Sequence, residues 1–439
     1  VFIVISQANT FHELHVNGIK NSLISQAAEL NLKNLTIYLT HEEWSHLPGS
    51  WTIFPILDNL LEKHRENADW VFISEEFTHI HLQYLLKYLN GFNSSLDWFL
   101  GRALYDKEPT IIHHFSFHEN PQIFLYPDFA TGVAISFPLL SKINEKWKSD
   151  PIHSDFSIDP KHELALFLYD SLNVKLVHAP NLCLEKVYKD CITSYATKIP
   201  KCGPPVPNDE IYFAVKTCGK FHETRIPIIK QTWGKHATHI GYFSDKFESS
   251  IPTKDMNIPN TEKGHCEKTF AIIDHVVSHP EFQRKSWLVI ADDDTLMSIY
   301  KLRQTLSCYD PSDFIALGER YGYGVTDERG YNYITGGGGI VLSMSLARHI
   351  IESEMCICPS IDTPDDMFLG ICLKKLEVPI VHSPLFHQAR PMDYADGYLM
   401  HQEPISFHKH WMVDPFKIYK EWFAEDDERE PAHYRHLEL

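Results

Sequence analysis

Nowhere in this chain do about 18 apolar residues follow one another, so no segment can cross a membrane as a helix. Basic residues are also few, 40 against 58 acidic, which gives a formal charge of −18. With no Lys/Arg stripe to offset that deficit, the balance argues against a nucleic-acid partner. Cysteine is missing from residues 1–182, and all nine cysteines lie between Cys183 and Cys372. None forms a C-x-x-C pair, since Cys356 and Cys358 stand one residue too close, which argues against a zinc or dithiol redox site. Disulfides in an oxidising compartment remain: at most four, with one thiol left over. There is neither an initiating Met nor a signal peptide, as expected of a mature or trimmed chain. Hydrophobic content of 44% over 439 residues is ordinary and suffices for two or three domains with full cores.

What the chain does contain is a repetition. Asp69-Trp70-Val71-Phe72-Ile73-Ser74-Glu75-Glu76-Phe77-Thr78 is answered by Ser286-Trp287-Leu288-Val289-Ile290-Ala291-Asp292-Asp293-Asp294-Thr295. Both read as a buried strand entering an acidic turn, but Phe77 stands where the later copy has Asp294. Three further blocks match in the same order. Val1–Ile5 leading to Phe11-His12-Glu13 matches Ile211–Val215 leading to Phe221-His222-Glu223, without a gap. Phe129–Ala134 echoes Ile334–Gly339, and His178–Cys183 echoes His382–His387. The period is a whole domain, so the chain is a tandem pair and not a solenoid. Pro200, Pro204, Pro205 and Pro207 crowd a segment with no apolar period, which reads as a linker. The resulting division is 1–190, a degenerate non-catalytic domain; 191–208, the linker; and 209–439, the catalytic domain. Strands are expected at 211–217, 238–243 and 287–291, and helices at 221–233 and 265–278. That alternation implies an α/β fold, each domain a mainly parallel sheet flanked by helices. Ligands bind such sheets beyond the carboxyl ends of the strands.

The acidic triplet sits at such an end. Three adjacent carboxylates repel one another and call for a compensating cation, and carboxylates favour hard ions such as Mn²⁺ or Mg²⁺. A solvated acidic loop is the plainer alternative, but it does not explain the preceding hydrophobic strand. His387 closes a second strand end, and the first copy lacks both it (Cys183) and the third Asp (Phe77), as if the two had shared one ion. Thr363-Pro364-Asp365-Asp366 opens a helix, where acids favour the positive end. It offers a general base, with one neighbour capping the helix and the other pointing into the cleft. The run Gly336–Gly339 lacks the following Lys-Ser/Thr of a P-loop and suits a wall against a sugar ring.

These motifs resemble the Fringe-like glycosyltransferases of family 31. The resemblance rests on Phe213-Ala214-Val215-Lys216-Thr217, Phe221-His222-x-x-Arg225, Gln231-Thr232-Trp233, the Asp292–Asp294 triplet, Thr335–Gly339, Pro364-Asp365-Asp366 and Ser383-Pro384-Leu385-Phe386-His387. It implies two tandem GT-A-like domains, an inverting mechanism, Mn²⁺ (or Mg²⁺) and a UDP-sugar. Thr217, Arg225, Asp292, Asp293, Gly337 and Gly338 would bind the nucleotide-sugar. Asp294 and His387 would hold the metal, with His408 and His410 close enough in sequence to compete for that place, and Asp365 or Asp366 would be the base. The preceding degenerate copy and the tail His436-Leu437-Glu438-Leu439, similar to ER-retrieval signals, point to the branch that moves glucose from UDP-glucose to O-linked fucose on folded thrombospondin type 1 repeats. Two sequons, Asn34-Leu35-Thr36 and Asn93-Ser94-Ser95, suit the same lumenal setting. A β-1,3-transferase of galactose or N-acetylglucosamine, or a lectin-like or chaperone module, are the alternatives.

Overall fold

A computed structural model describes residues 1–151, 154–185, 189–195 and 199–429. The retrieval-like tail falls outside them. The chain forms two compact units. The first comprises residues 1–198 with two later segments, 321–332 and 392–401, and the second comprises the rest. The second unit therefore begins at Ile199, ahead of the expected start at 209, and the second half lends two excursions to the first unit. Part of the expected linker is ordered structure: Thr193–Tyr195 pairs with Thr78–Ile80, and Cys202 is bonded to Cys308.

The first unit is built on six strands: β1 (Phe2–Ile5), β2 (Ile37–Leu39), β3 (Trp70–Glu75), β4 (Phe99–Gly101), β5 (Val133–Ser136) and β6 (Val177–His178), in the order β6-β4-β5-β3-β1-β2. All pairings are parallel except those of β5, which runs against both neighbours. Alternate residues serve two cores. Val71, Ile73, Phe99, Val133 and Ile135 pack into one, and Phe72, Leu100 and Ala134 into the other. Both faces are buried, which is why these strands read as continuous apolar runs.

The second unit has seven strands: β7 (Ile211–Lys216), β8 (Ile240–Ser244), β9 (Lys254–Asp255), β10 (Trp287–Asp292), β11 (Ala316–Gly318), β12 (Ile340–Ser343) and β13 (Ile380–His382). Their order, β9-β8-β7-β10-β12-β11-β13, repeats that of the first sheet with one added edge strand, and β12 is again the reversed one. Register matches too. Trp70 faces Ser136 as Trp287 faces Ser343, and the Nδ1 atoms of His178 and His382 accept the N–H groups of Ala103 and Arg320 at 3.0 and 3.1 Å.

The ladders correct the sequence match in two places. Phe2 faces Phe72 where Phe213 faces Val289, so the opening strands are offset by one residue from the ungapped match. Likewise Gly132 corresponds to Gly339, not Gly337, since each precedes its reversed strand. Both have positive φ, 85° and 98°, which glycine adopts without steric cost. The helix expected at 221–233 is shorter, Ile226–Gln231, because Pro227 fits only its first turn. Four disulfides form, Cys183–Cys191, Cys202–Cys308, Cys266–Cys358 and Cys356–Cys372, leaving Cys218 as the buried free thiol.

Candidate active site

Strand β10 ends because aspartate is a poor strand former, and the turn that follows is pinned by Thr295. Its hydroxyl accepts the N–H of Asp292 at 3.2 Å and donates to the carbonyl of Gly337 at 2.9 Å. The three carboxylates that this turn gathers are each met by a cation of the chain. Lys216, at the end of β7, lies 3.0 Å from Asp292. Arg225 lies 2.6 Å from Asp293 and 3.0 Å from Asp294, its guanidinium resting 3.8 Å from the Phe221 ring centre. Thr217 adds a 2.7 Å hydrogen bond to Asp293. Burial dominates at Asp293 and pushes its pKa up to about 6 despite these partners. Burial would raise Asp294 also, but the bond to His408 and the charge of Arg225 outweigh it and hold the group well below the usual range.

His408 arrives from Ser406–His408, which pairs antiparallel with Thr295–Met297 so that Thr295 faces His408. Its Nε2 lies 3.1 Å from Asp294 and 3.7 Å from Asp292, while Nδ1 points at the Gln388 carbonyl at 3.0 Å. The ring lies against the glycine run, and a β-carbon at Gly337 would strike it. Ligand atoms of Asp292, Asp294 and His408 all lie within 4.8 Å of one another. Two carboxylates and an imidazole suit Mn²⁺ or Mg²⁺. His387, expected in this role, is directed elsewhere: Nδ1 meets the Ser406 carbonyl at 3.1 Å and Nε2 meets Gln402 at 3.0 Å. The sequence signal for His408 was available in His408-Lys409-His410, but only the strand pairing selects between the histidines. His410 lies outside the ligand group, its ring kept neutral by burial, with a pKa lowered to about 4.

Helix Asp365–Lys375 brings the candidate bases. Asp365 is bound up: its Oδ2 takes Lys216 at 2.6 Å and the Thr269 hydroxyl at 2.5 Å. Burial alone would raise its pKa, but the Lys216 charge outweighs that and lowers it. It is therefore an ion-pair partner, whereas the sequence expects one of the two neighbours, without saying which, to cap the helix. Asp366 accepts the N–H groups of Gly336 at 3.2 Å and Met367 at 2.7 Å, and it forms no ion pair among the described residues. Burial first, and the negative charge of Asp365 next, push its pKa up. Of the glycines expected to bind the donor, Gly337 seats His408 and Gly338 donates to Gln388 at 3.1 Å. Sequence reasoning passed over Lys216, although a lysine closing an otherwise apolar strand is itself a signal. The site thus brings together Thr217, Arg225, Asp292, Asp293, Asp294, Asp365 and Asp366, with Lys216 and His408 added.

Comparison with known proteins identifies the family. The Fringe-like family model matches residues 206–438. A beta-1,3-glucosyltransferase of Mus musculus is 49% identical over 98% of this chain and 87% of its own, and that of Homo sapiens is 48% identical over 98% and 85%. Manic fringe of Danio rerio, a beta-1,3-N-acetylglucosaminyltransferase, is 24% identical over 42% of this chain and 57% of its own. By that identity along its length and by the family model, the chain belongs to the Fringe-like glycosyltransferases, among the beta-1,3-glucosyltransferases, and is a hexosyltransferase.

Proposed function

We propose that the second unit transfers glucose from UDP-glucose, with inversion, to the 3-hydroxyl of O-linked fucose on folded thrombospondin type 1 repeats in the ER lumen. The observation that carries this reading is the pairing of a cation-ready group, Asp292, Asp294 and His408, with one separate carboxylate, Asp366, which forms no ion pair among the described residues and whose pKa burial and Asp365 push up. A divalent ion bound there would offset charge on the departing diphosphate. The remaining work falls to the chain. Thr217 and Arg225 fix Asp293 for contact with the donor, and Lys216 ties the triplet turn to the base helix through Asp292 and Asp365. Asp366 takes the proton of the acceptor hydroxyl as it attacks the face of the sugar opposite the leaving group. One base suffices, because direct displacement needs no covalent intermediate.

In this reading the first unit is an inert copy that contributes stability or grip on the protein acceptor. Phe77 replaces Asp294, and Tyr195, which faces Thr78 as His408 faces Thr295, replaces the imidazole. The test is a donor screen with a folded fucosylated repeat, scored by mass shift and UDP release. UDP-glucose should add one hexose in a Mn²⁺-dependent reaction that chelator stops. Preference for UDP-galactose or UDP-N-acetylglucosamine would overturn the donor assignment.

A further inference from the structure

The first unit buries a cluster of ionisable groups for which catalysis has no use. His113 sits between two carboxylates, Nδ1 2.6 Å from Asp106 and Nε2 3.3 Å from Asp159, and the Tyr126 hydroxyl donates to Asp106 at 2.8 Å. The ring of His162 stacks on that of His113, centroids 3.8 Å apart and planes 7° from parallel. His162 is only 4% exposed, yet neither of its ring nitrogens has a hydrogen-bond partner among the described residues. It lines a cavity of about 290 Å³, together with His113, Asp159, Trp147, Ser157 and Phe156. Both nitrogens open onto the cavity, where they can meet the hydroxyl groups of a ligand as well as water.

Charge and shape specify the occupant. The cavity's own lining is acidic: Asp159, Glu163 and Asp170 stand against His113, while Lys161, 3.6 Å from Asp159, lies outside it, so an anion is disfavoured and carboxylate acceptors are offered to hydroxyl groups. A further acid at the rim, Asp150, is paired with Lys146 at 2.7 Å. Burial, and then the nearby positive His113, keep His162 uncharged, with a pKa near 3, so it offers one donor and one acceptor. Trp147, stacked on Phe54 at 4.2 Å, supplies an aromatic wall, and Phe156 leaves 40% of its surface open. Aromatic walls with neutral donors, acceptors and hydroxyls suit a neutral polyol. A metal fits less well. Ligand atoms of Asp106, His113 and His162 do lie within 4.8 Å of one another, but both nitrogens of His113 are engaged by Asp106 and Asp159, so an ion would have to displace one of those bonds. His162 also holds the place, second after the proline that opens its helix, that Asp366 holds in the catalytic unit.

We infer that the first unit carries a second, non-catalytic binding pocket for a neutral mono- or disaccharide, walled by Trp147 and Phe156 and hydrogen-bonded by His162. The choice of fucose and glucose as probes rests on the proposed function; the pocket does not. Saturation-transfer NMR on the full chain with methyl α-fucoside and methyl β-glucoside should show transfer to at least one. His162→Leu, which keeps the bulk and removes the nitrogens, and Trp147→Ala should each weaken binding by about tenfold or more while turnover on small acceptors stays unchanged. Thermal unfolding checks that these variants fold, and Phe156→Ala, at an already open ring, replaces any that does not. No transfer to either sugar overturns the inference. So does transfer that survives in the variants, or that is lost instead in Asp366→Asn. Binding of Mn²⁺ or Zn²⁺ that depends on Asp106 would make the cluster a metal site and overturn it equally. Failure of the glucosyl-transfer reading would appear separately, as absent UDP release from UDP-glucose with glycoside binding intact.

Discussion

The ends of β3 and β10 carry the same local problem, a row of buried acids, and meet it with opposite arrangements. In the second unit the cation is on the strand and the acid on the helix: Lys216 of β7 reaches Asp292 and Asp365. In the first, Ile5 takes the ladder position of Lys216, facing Glu75 as Lys216 faces Asp292, and the helix supplies the cation instead. Lys161, next after Pro160, stands where Asp365 follows Pro364. Burial would lower its pKa, but Asp159, Tyr398, Glu75 and Asp128 outweigh that and raise it. Glu76 likewise keeps a partner, His12 at 2.5 Å, in place of Arg225 on Asp293. The compensation is less complete in the first unit, where burial pushes the Glu75 pKa up to about 7 despite the charge of Lys161, and one carboxylate oxygen of Glu76 is buried without a hydrogen-bond partner among the described residues. The proposed reaction needs more than compensation, and the first unit has no counterpart of that surplus: Phe77 stands where the second unit has Asp294, Tyr195 where it has His408, and His162 where it has Asp366. Phe77 now packs among Phe11, His15 and Tyr195 as an ordinary aromatic.

The largest effect should follow from removing that surplus in the second unit. Asp294→Ala and His408→Ala are each expected to abolish both Mn²⁺ binding, read by calorimetry, and turnover. His387→Gln should keep ion binding, since its nitrogens are directed at Ser406 and Gln402. An ion affinity that collapsed in His387→Gln and survived in His408→Ala would reverse the ligand assignment. Next in size is the base. Asp366→Asn should lower turnover by at least about 10²-fold with donor and metal affinity intact. A base must be unprotonated to act, so activity should fall as pH drops through its pKa. Because that pKa is raised, the acid limb should lie above the usual carboxylate range and vanish in the variant.

Much of this was legible in the chain. Alternating apolar strands and helices gave the α/β sheets, because both sheet faces are covered and the strands run apolar end to end. The triplet and the Pro364-Asp365-Asp366 start were visible because acids at strand and helix ends have few structural reasons to cluster. What the sequence could not resolve is set by contacts between distant segments. His387 and His408 are equally plausible histidines until Ser406–His408 pairs with Thr295–Met297. Asp365 and Asp366 are equivalent on paper until Lys216, 149 positions away, engages one of them. Segments 321–332 and 392–401 carry no mark of belonging to the first unit.

A smaller effect separates the neighbours on the base helix. Asp365→Asn leaves Lys216 buried with only Asp292 as its ionic partner. Losing one partner of a buried pair is strongly destabilising, and here about 2–3 kcal/mol is expected, since Asp292 remains. Turnover should fall less than in Asp366→Asn, and Asp365→Glu should not restore the packing against Thr269. Denaturant midpoints for the two variants decide the matter. If Asp366→Asn proved the less stable protein and Asp365→Asn the slower enzyme, the roles would be exchanged.

The smallest effect on turnover, none, is expected from His113→Gln in the first unit, which should act on stability and its pH dependence. Burial alone would lower the pKa of His113, but the bonds to Asp106 and Asp159 outweigh it and push the value to about 9, against an ordinary 6.5. A histidine whose folded pKa is raised binds its proton more tightly in the folded state. Its contribution is therefore complete below the unfolded value and is lost as pH rises through the folded one. The wild-type advantage over His113→Gln should accordingly be full at pH 6, shrink from about pH 6.5 onward, and be gone somewhat above pH 9. Glutamine can keep one hydrogen bond but no charge, so what disappears is the ionic part of the Asp106–His113–Asp159 arrangement. Urea unfolding of both proteins at several pH values measures the difference directly. An advantage that stayed constant from pH 6 to pH 9 would mean that His113 is neutral in the folded protein. The first unit would then have kept a carboxylate pair without the cation that the second unit supplies to its own.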